Sequence, residues 1–227
     1  RIYGDDEEGN LYKGESQADL TWHGDDPASY YDYYELKTNE DINDWSDLVG
    51  FIDSLNNVPD GEFESVLPDI IDYEPLIEHL AANILLINLD SYIGPAHNFY
   101  VYHRDDSGRF AHLLWDCNMA FGTYTQPFPT GYNMVELPLL WSNTTGDGRP
   151  LAERIWASPV LVRDFYRALG RMLRNGFDSA SFDPRIDELA DLIRADVYND
   201  TKKDYTNEEF EQALTIDVGE AVGLKRF

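Results

Sequence analysis

The chain has 227 residues, enough for one domain with a substantial core, and its 43 acidic against 17 basic residues give a net charge of −26. That balance excludes nucleic acid and anionic membrane surfaces as partners, because phosphate binding needs clustered Lys and Arg. A single cysteine, Cys117, excludes an intrachain disulfide and a cysteine-based zinc site, and no run of about 18 apolar residues is present to span a bilayer.

Asp outnumbers Glu by 27 to 16, and only five of the basic residues are Lys. The composition reads as a very soluble acidic surface, with a salt-adapted or calcium-rich extracellular setting as the sharper alternative. The chain opens on Arg1 without an initiator methionine and closes on GLKRF, which is the expectation for a segment of a longer polypeptide; localisation is not readable from it.

In chain order, residues 1–40 are polar and turn-rich, with GNLYKG and YYELK as short strands and GDDPASYYDYY as a solvated loop. Asp44 or Asn43 caps a helix whose apolar positions, Trp45, Leu48, Val49, Ile52 and Leu55, share one stripe; NNVPDG stops it. A second helix, around Glu74 to Leu89, carries a wide apolar face through Leu76, Ile77, Leu80, Ala81, Ile84 and Leu85. FYVYH and RFAHLLW alternate as two strands of a hairpin around Asp105-Asp106-Ser107-Gly108. WDCNMAFGTYTQPFPTG is a long loop. The last third is helical. Ser158-Pro159 starts one helix that Asn175-Gly176 ends, Asp183-Pro184 starts another with Ile186, Leu189, Ile193 and Val197 in register, and TNEEFEQAL forms a third.

The triplet His103-Arg104-Asp105 imitates the start of the protein-kinase catalytic loop, but five residues beyond Asp105 stands Phe110 where a metal-binding Asn is required. The triplet ends a strand and opens a turn. The residues flanking the hairpin carry more chemistry. Asp90 and Asn98 precede it and Asp116 follows it, before Gly122. A helix, a loop with Asp and Asn, two paired strands and then an Asp is the order of a kinase catalytic half, where one Asp positions the acceptor hydroxyl and the Asn and second Asp hold Mg²⁺. A hairpin returns the chain to its starting end, so these residues can converge. Carboxylate and amide oxygens suit a hard ion that keeps its waters better than they suit zinc.

LYK, YYELKT, WSDLVGFIDSLN, NLDSYIGPAHNFYVY and WDCNMAFG, in that order, resemble blocks of the spore-coat protein H (CotH) kinase family over nearly the whole chain. The resemblance implies an atypical protein-kinase-like α+β fold, with residues 1–40 as a strand and loop region after the hinge and 41–227 as a mainly helical C-lobe around the catalytic hairpin. It implies that the N-lobe, with its phosphate-orienting Lys and Glu, lies largely outside this chain. Lys13 and Lys37 read as surface or strand-edge lysines, and the fragment alone is expected to be a weak catalyst. The implied reaction moves the γ-phosphoryl group of ATP to a Ser, Thr or Tyr hydroxyl of a coat or surface protein, with Mg²⁺ or Mn²⁺. Asp90 takes the catalytic role, Asn98 and Asp116 bind metal and nucleotide, and Asn118 is a further candidate ligand. Phe121-Gly122 opens the activation segment. The implied location is extracellular, cell-surface or spore coat.

Two departures bear on this reading. Asn118 stands where the family often has a second Asp, offering oxygen without charge, and the interval from Asp90 to Asn98 is eight residues rather than the usual five. They leave open a catalytically inactive, kinase-shaped binding module, and transfer of AMP remains a third possibility. His97 is expected to pack.

Overall fold

The computed structural model of the protein describes residues 8–126, 128–143, 148–219 and 224; residues 1–7 and, apart from Leu224, the closing GLKRF lie outside them. Among the described residues the architecture is α+β, with one four-stranded antiparallel sheet and seven α-helices. Strands β1 (Leu11–Gly14), β2 (Tyr34–Leu36), β3 (Phe99–His103) and β4 (Phe110–Leu114) are ordered β2-β1-β3-β4. The period-two pattern of these segments sets their faces. Tyr12, Tyr34, Leu36, Phe99, Val101, Phe110 and His112 are buried on one side. Lys13, Glu35, Tyr100 and Leu113 fall on the other, with Lys13 paired across to Glu35 and Tyr100. The hairpin is therefore extended by the two N-terminal strands, and Lys13 stands on a central strand rather than at an edge.

Helix α1 (Ser46–Asn57) buries Leu48, Val49, Phe51, Ile52 and Leu55, the stripe expected from its spacing plus Phe51. Each such side chain contributes about 1.5–3 kcal/mol when fully buried. Phe51 stacks on Phe110 with centroids 4.5 Å apart, which seats α1 under the sheet. Trp45 occupies the N-cap position without a side-chain bond to the helix, its indole Nε1–H donating to Asn43 Oδ1 at 2.8 Å, and the preceding Asp44 accepts from the Ser46 N–H at 2.9 Å. Helix α2 (Asp60–Ile70) has no counterpart in the sequence reading: only Phe63 and Leu67, one turn apart, are buried, and Pro68 lies inside its last turn. Helix α3 (Tyr73–Leu85) buries the expected apolar face but ends before Leu89, because Ile87 takes a left-handed φ of +46°.

The remaining helices are α4 (Pro150–Ala157), also not foreseen, α5 (Pro159–Arg174), α6 (Ser179–Asn199) and α7 (Asn207–Ala213). Helix α5 starts as expected, with Ser158 accepting from the Leu161 N–H at 3.1 Å, and Asn175 is its C-cap. Helix α6 corrects the reading of Asp183-Pro184 as its start. Asp178 caps it, and Pro184 lies inside, removing one backbone donor without ending the helix. Leu189 and Ile193, expected on its buried stripe, are 45% and 47% exposed. Helix α7 has the capping box of Thr206 and Glu209. One core runs from Tyr12 through α1, α2, α3, the sheet, α4 and α5, whereas Ile186, Ala190 and Leu214 form a small second cluster under α6 and α7. No helix among the described residues is long and apolar enough to cross a membrane.

The turn end of the hairpin is held by charge. Asp72, 9% exposed between α2 and α3, accepts from Arg104 Nη1 at 2.8 Å and from Arg109 Nε at 3.0 Å. Its N–H donates to the Phe110 carbonyl at 2.7 Å. Gly108 supplies the turn with a φ of +67°, and its N–H donates to the Arg104 carbonyl. The arginine of the His-Arg-Asp triplet thus fastens the hairpin to the helices.

Candidate active site

At the opposite end of the hairpin two loops meet. The first runs from α3 to β3. Asn88 docks onto α3, its N–H donating to the Asn83 carbonyl at 2.8 Å and its Nδ2 to Asn83 Oδ1 at 2.9 Å. The loop then folds tightly on itself: the Gly94 and Ala96 N–H groups both donate to the Ser91 carbonyl, and the Ala18 N–H donates to the Ala96 carbonyl at 2.9 Å. Gly94 has no substitute here, since a Cβ would stand 1.8 Å from the Leu89 carbonyl oxygen. Buried Arg149 donates from its guanidinium to the Gly94 and Gly148 carbonyls. Tyr92 joins distant parts of the chain, its hydroxyl donating to the Asp19 carbonyl and accepting from the Leu151 N–H.

This scaffold brings Asp90, His97 and Asn98 into contact. Asn98 Nδ2 donates to the Asp90 carbonyl at 2.9 Å and to its Oδ2 at 3.1 Å. His97 Nε2 lies 2.6 Å from Asp90 Oδ1. The Asp90 side chain is 14% exposed and that of His97 32%. The expected packing role of His97 is replaced by a polar contact with the candidate catalytic carboxylate. With Nδ2 turned to Asp90, the Asn98 amide has its oxygen left to serve another partner.

Asp116 enters through the backbone. The Trp115 N–H donates to the Asn98 carbonyl at 3.2 Å, one step beyond the β3–β4 ladder, which sets Asp116 at the same end of the sheet as Asn98. Its exposed carboxylate accepts from the Asn118 N–H at 3.4 Å, and among the described residues it makes no side-chain bond to Asp90 or Asn98. Asn118 is likewise exposed and makes no bond to the Asp90 group. The chain then turns back: the Phe121 N–H donates to the Leu86 carbonyl at 2.7 Å and that of Gly122 to the Ile87 carbonyl at 3.2 Å. Ile87, Ala96, Asn98, Asp116 and Phe121 all have left-handed φ between 46° and 59°. Such backbone costs on the order of 1–3 kcal/mol per residue and gathers at functional sites.

Two features of the site were missed in the sequence. Trp115, 54% exposed, meets Tyr100 edge-on at 5.3 Å on the open sheet face beside Asp116. The signal was present, because Trp115 directly precedes Asp116 and Tyr100 lies two residues after Asn98, both on the outward side of the pleat. Lys13, across from Tyr100, is paired with Glu15 at 2.6 Å. Tyr124 completes the surroundings; burial raises its hydroxyl pKa, the Asp90 charge raises it further and Arg149 opposes the shift.

Among the described residues, no group of three or more His, Cys, Asp or Glu side chains is arranged to enclose a metal ion. The available donors are the Asp116 carboxylate and the Asn98 and Asn118 amide oxygens. That set fits Mg²⁺ or Mn²⁺, which take oxygen ligands and keep waters alongside one or two carboxylates, and it does not fit zinc.

A family model described as CotH kinase protein matches residues 1–216. The chain is also similar to inner spore coat protein H of Bacillus subtilis (strain 168), 25% identical over 179 residues, which cover 79% of this chain and 46% of that protein. It thus spans about half the length of the curated relative it matches. With the family match running through both loops of the site, the chain belongs to the CotH kinase protein family.

Proposed function

We propose that this protein is an atypical protein kinase that transfers the γ-phosphoryl group of ATP to a Ser, Thr or Tyr hydroxyl of a coat or surface protein, with Mg²⁺ or Mn²⁺. The observation that carries the reading is the contact of Asn98 with Asp90, at 2.9 and 3.1 Å, at the end of the hairpin where the Trp115–Asn98 backbone bond continues the β3–β4 pairing up to Asp116. The helix, loop, hairpin and Asp follow the order of the catalytic half of a kinase-like fold.

In this reading the acceptor oxygen attacks the γ-phosphorus, the bond to the β–γ bridging oxygen breaks, and ADP leaves with the electron pair. Asp90 orients the hydroxyl and takes its proton. Asn98 serves twice, its Nδ2 holding Asp90 and its oxygen available to the metal. Asp116 is the charged ligand and Asn118 a neutral one. The bound metal would neutralise charge on the transferred group. Trp115 and Tyr100 offer an exposed aromatic face on which a nucleotide base could stack. The net charge of −26 favours basic substrate segments. The name of the relative supports a spore-coat setting.

A second reading, a kinase-shaped binding module without turnover, is favoured by Asn118, which withholds a second negative charge from the metal. Intact-mass measurement on the longest natural polypeptide containing this chain, incubated with Mg²⁺, ATP and a basic protein substrate, separates the two. Added phosphoryl groups support the kinase, added AMP changes the reaction class, and no modification together with no ATP binding by calorimetry leaves the binding module.

A further inference from the structure

We propose that His97 is a positioning residue for Asp90, fixing the rotation of the carboxylate that receives the acceptor hydroxyl; this rests on the kinase reading above. An ionised carboxylate only accepts hydrogen bonds, so the 2.6 Å contact is a donation from His97 Nε2–H to Asp90 Oδ1. The torsion that turns an Asp carboxylate is broad and weakly stepped, so an unheld carboxylate does not keep one orientation. Asn98 holds Oδ2 at the longer distance of 3.1 Å. His97 supplies the second and shorter point of attachment, on the other oxygen, and two points define the plane. Of about four acceptor positions on a carboxylate, two are then occupied and the others remain for a substrate hydroxyl.

The ring is itself well placed for this. It projects from between two left-handed residues, Ala96 and Asn98, with φ of +59° and +54°. Among the described residues it makes no aromatic-ring contact, unlike His23, His79, His103 and His112. Its side-chain hydrogen-bond partner among them is Asp90. The tight Ser91–Ala96 turn brings residue 97 back over residue 90, so the bond spans seven residues.

The test compares the longest natural polypeptide containing this chain, as parent, with its His97→Ala, His97→Gln and Asp90→Ala variants at varied ATP, with melting temperatures recorded alongside. His97→Ala is expected to lower kcat by about 10–100-fold while KM for ATP stays within roughly twofold, because the ring acts on orientation and not on nucleotide binding. His97→Gln, which keeps an N–H donor, should recover most of that loss. Unchanged kcat in His97→Ala, a loss confined to KM, or no recovery in His97→Gln would overturn the assignment. A readout independent of turnover is the ¹⁵N spectrum of the His97 ring. The parent should carry a proton on Nε2 that is protected from exchange, and Asp90→Ala should lose the protection; a ring protonated on Nδ1 alone would overturn the proposal. A parent that transfers no phosphoryl group defeats the kinase reading, and the ring spectrum still decides the contact.

Discussion

The two ends of the hairpin formed by β3 and β4 are built on opposite principles. At the turn end, Asp72 is buried and takes both arginines that flank the turn, and its backbone N–H joins β4. At the loop end, the carboxylates of Asp90 and Asp116 have no Arg or Lys partner among the described residues, the neighbouring backbone is left-handed at five non-glycine positions, and Trp115 to Asn118 are exposed. The end that bears the kinase-like triplet His103-Arg104-Asp105 is a structural fastening. The end without it leaves the Asp116 carboxylate exposed and without an Arg or Lys partner among the described residues, which suits a cation-dependent site. A local letter match and the candidate site can therefore sit at opposite ends of the same hairpin.

The comparison is sharpened most by Asp116→Ala. With the one charged ligand of the proposed site gone, phosphoryl transfer should fall by about 100-fold or more while the melting temperature holds, since the side chain is exposed and, among the described residues, is bonded only to the Asn118 N–H at 3.4 Å. Steady-state rates against Mg²⁺ or Mn²⁺ concentration check this, and an unchanged metal dependence would remove Asp116 from the site. Asp72→Ala should do the reverse. It strands two partly exposed arginines and costs about 2 kcal/mol of stability by urea unfolding, less than a fully buried pair because both guanidinia can still reach water. Its kcat should change little; a loss as large as that of Asp116→Ala in a folded protein would break the contrast between the two ends.

Between the ends, on β4, lies His112. Burial pushes its pKa down to about 3, with His79 adding in the same direction, and its ring lies flat against Phe99 at 5.0 Å. Among the described residues neither ring nitrogen has a hydrogen-bond partner. The folded protein holds this ring neutral while the unfolded chain protonates near pH 6.5, so the unfolded state binds more protons between those values. Stability from this residue is complete above about pH 6.5 and is lost as the pH falls toward 3, amounting to about 2 kcal/mol between pH 7.5 and 5. Denaturant midpoints at the two pH values should draw together in His112→Phe. An unchanged gap would place the acid sensitivity in other groups. The smallest effect is expected far from both ends: Thr206→Ala removes the capping box of α7 and should cost about 1 kcal/mol or less, with no change in transfer rate.

Much of this was legible because it is local. The hairpin announced itself through alternation and the Asp-Asp-Ser-Gly turn, and α5 through Ser158-Pro159. The order of Asp90, Asn98 and Asp116 around paired strands marked the candidate site in the sequence. Helix α2 was missed although Phe63, Val66, Leu67 and Ile70 keep helical spacing, because Pro59 and Pro68 bracket a short segment that reads as punctuation. The start of α6 was misplaced because Pro184 is a common first-turn residue, whereas Asp178 supplies the cap. The insertion of β1 between β2 and β3 depends on pairings some 85 residues apart in sequence. The His97–Asp90 contact was hidden for a similar reason. Left-handed turns at Ala96 and Asn98 aim the ring, and neither residue type demands such a turn on its own.

In the reaction proposed for the loop end, Asp90 orients and deprotonates the acceptor hydroxyl. The most direct measurement is the transfer of labelled γ-phosphate from ATP to a basic protein substrate by the parent and by Asp90→Asn, which keeps the size and a hydrogen-bonding oxygen but not the charge. Transfer by the parent and a loss of about 100- to 10,000-fold in Asp90→Asn are expected, with ATP binding retained by calorimetry. Equal transfer by both proteins would take Asp90 out of this role.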